Sequence, residues 1–421
     1  MFRAGAFSLL LRAVTLASKF LLILFMARYL SPEDVGVFGL VSAIIGLAIY
    51  FLGMDFYAYS TREILGCTQS QRVCRIRDQL VFHLAGYTIF LPLLLGAFAG
   101  NFISWRYLGW FYLVLVFEHL NQEVGRLLVT LSRPAAANLV HFFRGGAWVY
   151  LVLGMTLWGE GHLDLRTVWA GWSAGSGAGL LLGIWLLRSL DWSALRGVPV
   201  DWAWIRKGLA DSSLFLAATV AVKAVEYADR FFLQHYHGEA MVGVYTFYAN
   251  ITNVVQVFVF SGITMVLYPR IVSAWQGGER GEYRRLSSRM LVLNCAGAFG
   301  LAAVAALGLF PALTLVGKPI YGHHLEAFWI MLGAVVILIA GWTPHYALYV
   351  RHRDRMLLTS ALLALVVTIA LNALLVPRYG VTGAALSTLG GYATLSVMKT
   401  VLVLFREKPK DIESVFNETG L

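Results

Sequence analysis

Apolar runs of about 20 residues recur along the whole chain, and that is the length a helix needs to cross the hydrocarbon of a bilayer. No soluble core could absorb so many of them. Hydrophobic residues make up 59% of the 421 residues and charged ones only 13%, too few to cover a water-exposed surface. Period-2 alternation, the mark of a membrane barrel, is missing. The sequence therefore predicts an all-α polytopic membrane protein.

Hydropathy places twelve spans at roughly 7–30, 35–58, 79–99, 103–131, 135–158, 166–188, 207–235, 241–269, 288–316, 324–350, 356–376 and 382–405. Basic residues then orient them. Arg62, Arg72, Arg75 and Arg77 share one loop. Arg188, Arg196, Arg206 and Lys207 share another, as do Arg270, Arg280, Arg284, Arg285 and Arg289. Arg351, Arg353 and Arg355 follow, and the tail carries Arg406, Lys408 and Lys410. The alternate loops hold one basic residue each (Arg28, Arg106, Arg166, Lys318, Arg378) or none, and only the loop with Arg133 breaks the bias. By the positive-inside rule both termini are cytoplasmic. The formal net charge of +10 is thus mostly topology, and no nucleic-acid partner is expected.

The first helix is expected to stay uncleaved, because Arg12 and Lys19 interrupt its apolar core and no small-residue cleavage site follows. Cys67, Cys74 and Cys295 are not in metal-ligand spacing with histidine, so no disulfide, zinc site, redox function or cofactor is expected. Short outward loops and missing nucleotide, nucleophile-elbow and zinc-protease motifs argue against an enzyme. The pairs Gly145-Gly146, Gly277-Gly278 and Gly390-Gly391 are read as packing or turn residues, and the Asn417–Thr419 triplet as an unused glycosylation pattern on the cytoplasmic side.

An echo links the two halves. Residues 35–44 read Val-Gly-Val-Phe-Gly-Leu-Val-Ser-Ala-Ile, and residues 242–251 read Val-Gly-Val-Tyr-Thr-Phe-Tyr-Ala-Asn-Ile. Both open an even-numbered span. The expected organisation is a six-helix bundle over 1–190, a cytoplasmic linker over 191–206, a second bundle over 207–405 and a tail over 406–421. Repeated halves with a substrate path between them are a transporter pattern.

The charges inside the spans are the functional signal. Ser8, Arg12, Thr15 and Lys19 fall on one helical stripe, and Lys223, Glu226 and Arg230 share an arc with Asp229 and Asp211 at its edge. The fourth span carries Glu118, Gln122 and Arg126, with His119 and Glu123 near. The fifth adds His141 and Arg144, and the eighth Asn250, Asn253 and Gln256. Two readings stand: one shared polar cavity, or scattered ion pairs such as Glu226 with Arg230, with Arg12, Arg144 and Asp211 snorkelling near the ends. A cationic cavity points to an anionic substrate, because phosphate is bound by compact cations and forked donors. Its contacts would be Arg12, Lys19, Lys223, Arg230, Arg126 and Arg144. Glu118, Glu226 and Asp229 are candidates for coupling to H+ or Na+.

At these residues a family comes into view. The run Ala27-Arg28-Tyr29-Leu30-Ser31-Pro32-Glu33-Asp34-Val35-Gly36-Val37-Phe38 resembles the turn between the first two helices of Wzx-type polysaccharide flippases. Leu52–Asp55, Thr61–Glu63, Ala228–Leu233, Val242–Tyr245, Tyr268-Pro269 and Leu375–Ala385 are similar to later parts of that pattern. These flippases export lipid-linked oligosaccharide for O-antigen, lipopolysaccharide and capsule, within the multidrug/oligosaccharidyl-lipid/polysaccharide superfamily. The resemblance implies an undecaprenyl-diphosphate-linked oligosaccharide as substrate, on whose sugar rings Tyr50, Trp110 or Tyr227 could stack, and a bacterial inner membrane as location. It also implies a V-shaped pair of six-helix bundles working by alternating access, beside membrane lipids and polysaccharide polymerase and assembly proteins. The competing readings are a drug or organic-cation antiporter of the same superfamily, a membrane enzyme of glycan assembly, and a non-transporting membrane component of that assembly.

Overall fold

The computed structural model describes residues 2–158 and 163–405, the side chains of 2–9 and 405 excepted. Ser8's place on the first stripe, the basic tail and the Asn417–Thr419 triplet lie outside what it describes. Among the described residues there are helices and no strands. They are α1 (Phe2–Tyr29), α2 (Pro32–Gly53), α3 (Tyr57–Gly66), α4 (Gln69–Leu93), α5 (Leu95–Ala99), α6 (Leu108–Thr130), α7 (Pro134–Phe142), α8 (Trp148–Trp158), α9 (Leu165–Leu187), α10 (Trp202–Val259), α11 (Met265–Gln276), α12 (Arg280–Val316), α13 (Pro319–Gly322), α14 (Leu325–Ala340), α15 (Trp342–Val350) and α16 (Asp354–Phe405).

Local chemistry starts these helices. Ser31 Oγ accepts from the Asp34 amide, with Pro32 in the first turn of α2. Thr68 and Gln71 form a capping box that opens α4. Asp164 caps α9 through the Thr167 amide.

Eight stretches are long and apolar enough to span a membrane, two of them 75 and 51 residues long. Each of those two doubles back. In α10 the reversal is at Gly238, φ 77°, and residues on either side of it meet: Tyr245 donates to Asp229. In α16 it is at Gly380, φ 53°, and a Cβ on Gly383 would lie 2.4 Å from the Leu375 carbonyl oxygen. A positive φ of this kind is cheap only for glycine. With these reversals, α6 and the α7–α8 stretch, the described residues make twelve helical passes. Hydropathy places the crossings but misses two features. Helices α4, α10 and α12 begin outside the apolar stretch, because arginine-rich turns stay helical once they reach water. The amphipathic α3 has too little apolar length to register.

The halves meet along a close seam between α2 and the 239–259 arm of α10. A Cβ on Gly36 would lie 1.9 Å from the Glu239 carbonyl oxygen and 3.1 Å from Gly243 N. A Cβ on Gly243 would lie 2.0 Å from the Pro32 carbonyl oxygen and 3.1 Å from Gly36 N. One turn further on, Gly39 faces Thr246. The echoed segments are thus the two sides of one contact. On the same end, Arg28 donates to the Leu315 carbonyl at 2.6 Å, Lys318 to the Leu30 carbonyl, and His237 Nε2 pairs with the Val376 carbonyl oxygen at 2.7 Å.

At the other end, residues 191–201 connect the halves and dock on α4. Arg77 donates to the carbonyls of Val198 and Pro199 at 2.5 and 2.8 Å, and Arg75 to Asp201 at 2.7 Å. Trp204 and Ile205 then pack on Phe56 and Phe82. Asp201 also caps α10 through the Trp204 amide. The hydrogen bond from Arg75 holds its carboxyl below the usual range, with the Trp204 amide adding to it. A depressed folded value makes the contribution full above about pH 4 and lost as pH falls below that. Asp201→Ala should therefore raise trypsin nicking at Arg196 several-fold at pH 7, a cap being worth about 0.5–2 kcal/mol. Wild type should keep the connection docked down to about pH 4 and expose it to pepsin below.

Candidate functional site

A cavity of about 380 Å³ lies between the halves, below the glycine seam. The first half brings Lys19 from α1, Glu118 from α6, and His141 and Arg144 from the fifth crossing. The second brings Glu226, Tyr227 and Arg230 from one arm of α10, and Asn250, Asn253 and Gln256 from the other. Trp148, Trp172, Tyr245 and Tyr392 supply aromatic wall.

Local backbone aims the first-half groups. The fifth crossing is interrupted by a π-helical turn, Phe143–Ala147, which holds Arg144 and the pair Gly145-Gly146. Such turns reset the face that a helix presents. A Cβ on Gly146 would lie 3.1 Å from Ser18 Oγ, so the glycines let α1 approach and bring Lys19 beside Arg144.

Most charges in the cavity wall are satisfied by neighbours. Arg144 Nε donates to Glu118 at 2.7 Å, and the same carboxylate accepts from Trp172 Nε1 at 2.9 Å and Ser176 Oγ at 2.7 Å. Arg230 donates to Asp229 at 3.0 Å and to the Glu226 carbonyl at 2.9 Å, and lies against the Tyr227 and Tyr245 rings. Asp229 is buried and also accepts from Thr388 at 3.0 Å and from Tyr245. Lys223 donates to Glu226 at 2.7 Å, between the Tyr50 and Tyr227 rings. The four charges between residues 221 and 234 are therefore two ion pairs. Glu226 and Arg230 turn toward the cavity. Lys223 and Asp229 stand behind them.

Lys19 differs. It is exposed to the cavity, and among the described residues it has no hydrogen-bond or ion-pair partner. A lysine at mid-span is tolerated facing water, polar groups or a ligand, not lipid.

The remaining residues expected at the site lie elsewhere. Arg12 sits outside the cavity wall and bridges the halves, with Nε donating to Asn138 at 3.0 Å and a guanidinium nitrogen 3.4 Å from Met265 Sδ. Arg126 pairs with Glu123 at 2.6 Å and stacks on Tyr57, 3.6 Å from the ring centroid. Gln122, His119 and Glu123 share that neighbourhood, away from the cavity. Of the candidate stacking aromatics, Tyr227 lines the cavity, while Tyr50 and Trp110 do not. Sequence reasoning did not find the wall aromatics Trp148, Trp172, Tyr245 and Tyr392, nor Lys399, which is buried in the last crossing. Nothing in an aromatic-rich chain distinguishes such residues from packing before the helices are placed.

A multidrug-resistance transporter of the MATE family, in the MOP superfamily, superposes in its inward-facing conformation with a TM-score of 0.77. The match covers 98% of this chain and 100% of that one at 13% identity. An outward-facing MATE transporter superposes with 0.62, over 95% and 93% of the two chains at 12% identity. The lipid II flippase MurJ, in an inward closed conformation, superposes with 0.69, over 96% and 87% at 10% identity. These likenesses show the fold, that of MOP-superfamily transporters. No curated protein sequence matches the chain. The model of one sequence family, described as polysaccharide biosynthesis protein, matches residues 2–275, well over half of the chain. A multi-pass membrane protein with a transporter fold, the chain belongs to that family.

Proposed function

We propose that the protein moves a lipid-linked oligosaccharide across a bacterial inner membrane by alternating access, with the pyrophosphate held in the central cavity. One observation carries the reading: the unpartnered ammonium of Lys19 projects into an aromatic-walled space between the halves. A diphosphate offers the counter-charge that this cation lacks. Arg144 and Arg230 flank it and can each give free N–H groups while keeping their carboxylates. The aromatic rings suit sugar faces, and the lipid tail would stay in the bilayer between the halves. At about 380 Å³ the cavity suits a pyrophosphate and its first sugar, within the ~300–1,000 Å³ of small-molecule sites.

In this reading the bundles are 1–190 and 207–405, joined by 191–206, with the 406–421 tail and both termini cytoplasmic. The glycine seam then closes the periplasmic end. The higher TM-score with the inward-facing transporter, 0.77 against 0.62, supports that state. Coupling to H+ or Na+ would fall to Glu118, Glu226 or Asp229, and assembly proteins such as a polymerase would receive the product. An organic-cation antiporter needs a free acidic group where this cavity presents a free ammonium, so we favour the anionic substrate.

The test is flipping of a fluorescent undecaprenyl-diphosphate oligosaccharide in proteoliposomes. Lys19→Ala breaks no partner, so the fold should survive. Loss of a charged hydrogen bond, about 1.5–3 kcal/mol, should slow flipping roughly 10- to 150-fold. Lys223→Ala is a poorer probe because it strands Glu226. An unchanged rate for Lys19→Ala would remove the cation from the mechanism, and a wild type that flips no lipid-linked glycan would sink the function.

A further inference from the structure

Away from the cavity, α4 and α6 bring together three buried side chains that the transport reading does not use. His83 comes from α4, and His119 and Glu123 from successive turns of α6. They are 2%, 0% and 9% exposed. One ligand atom from each lies within 4.8 Å of the others. His83 Nε2 is already 3.4 Å from Glu123 Oε2, close to the ~3.3 Å edge of a tetrahedron with ~2.0 Å bonds.

The cluster's hydrogen bonds leave a lone pair open. Tyr87 Oη pairs with His119 Nδ1 at 2.6 Å, and His119 Nε2 has no partner although buried. If Nδ1 donates its proton to Tyr87, Nε2 is left as a free ligand atom, the arrangement usual behind a metal-bound histidine. Gln79 Nε2 donates to Glu123 Oε2 at 2.8 Å and lies 3.3 Å from His83 Nε2, so its amide borders the space between the ligands and would have to turn its oxygen inward to serve as one. Arg126 takes the other carboxylate oxygen, Oε1, at 2.6 Å. Asp55 is buried nearby. Counting Glu123 and Asp55 against Arg126, the formal charge is one negative, which favours a cation.

Space is also kept. A Cβ on Gly53, at the end of α2, would lie 3.1 Å from His119 Nε2 and 3.5 Å from Glu123 Oε1. The next two residues, Met54 and Asp55, hold left-handed backbone with φ of 46° and 47°. Strained non-glycine turns of this sort mark sites whose surroundings enforce them.

We propose that His83, His119 and Glu123 bind a divalent transition-metal ion of the zinc type. Two imidazoles and one carboxylate suit such an ion and not sodium, magnesium or calcium, which take oxygen ligands. Three protein ligands leave a fourth position for water or, with its amide turned, the Gln79 carbonyl oxygen. Metal there would tie α4 to α6, one residue from the Glu118 that faces the cavity.

Co2+ is the probe. The full chain, purified in detergent and stripped with chelator, is titrated with Co2+, then with Zn2+ as competitor. The expected result is one equivalent of Co2+ with an intense tetrahedral visible band that Zn2+ removes. His83→Gln, His119→Gln and Glu123→Gln should each weaken binding at least 10-fold, and the exposed His352→Gln should not. No saturable band in folded wild type overturns the proposal, whatever the variants do. A band that survives in His83→Gln and His119→Gln, both eluting as folded protein, overturns it equally. Should those variants aggregate, the wild type decides: its unfolding temperature must rise with Zn2+ and stay unmoved with Mg2+, and no rise overturns the site. None of these readings depends on transport.

Discussion

A chain carrying Gly36→Leu and Gly243→Leu together should be found open at the end it now seals. Each new Cβ would fall about 2 Å from a backbone carbonyl oxygen, Glu239 in one case and Pro32 in the other. Backbone cannot rotate away as a side chain can, so the strain is relieved only by parting α2 from α10. Overpacking of this kind costs about 1–3 kcal/mol per site, and both costs fall on the closed state alone. Together they bias the equilibrium by roughly 30-fold to 10⁴-fold. Spin labels at Glu33 and His323, both exposed at that end, should move apart by several ångströms, and, on the function proposed above, flipping should stop because the seam cannot re-form. If the label distance and the flipping rate match wild type, the seam is not a gate. Gly39 is a useful control. It faces the Thr246 side chain instead of backbone, so Gly39→Ala should be milder.

Glu118→Ala should destabilise the protein by about 3–5 kcal/mol. The alanine removes the one acidic partner that Arg144 has among the described residues and the acceptor of both Trp172 and Ser176. A guanidinium would be left in a site built for a pair. Glu118→Gln keeps acceptors for Trp172 and Ser176 and should cost less. Adding Arg144→Met to Glu118→Ala should recover much of the loss, because the stranded charge is what costs most. Thermal unfolding in detergent reads all three. A Glu118→Ala protein as stable as wild type would mean that Arg144 finds another partner, and the pair would then be a poor candidate for ion coupling.

The fold was largely written in apolar length and in the echo of Val35-Gly36-Val37 with Val242-Gly243-Val244. The site was written only in part. Helical spacing puts Lys223, Glu226 and Arg230 on one arc, but it cannot say that Lys223 turns back onto Glu226 or that Arg230 turns back onto Asp229. Partner choice depends on rotamers and on the tyrosines of crossing helices. Arg12 and Lys19 share a stripe in sequence, yet α1 is long enough that one reaches Asn138 of α7 and Met265 of the second half while the other reaches the cavity. Arg126 looked equivalent to Arg144, but Arg126 is held on Glu123 and Tyr57 beside α6, while the π-helical turn of the fifth crossing carries Arg144 to the cavity wall. The histidine cluster was visible only as His119 and Glu123 four residues apart. His83 lies on another span, and spacing carries no information across that gap.

The α2–α10 contact is reciprocal. What Gly36 meets in Gly243, Gly243 meets in Gly36, at the same 3.1 Å. That is the rule for two identical subunits related by a two-fold axis, where every contact on one side is repeated on the other. This single chain follows it with two segments about two hundred residues apart, as a duplicated and fused gene would. A substitution that would once have struck both subunits at once now strikes one, and each side can be tuned alone. Thr246 standing opposite Gly39 shows that freedom in use: the symmetry of the backbone has been kept, and that of the side chains has been let go.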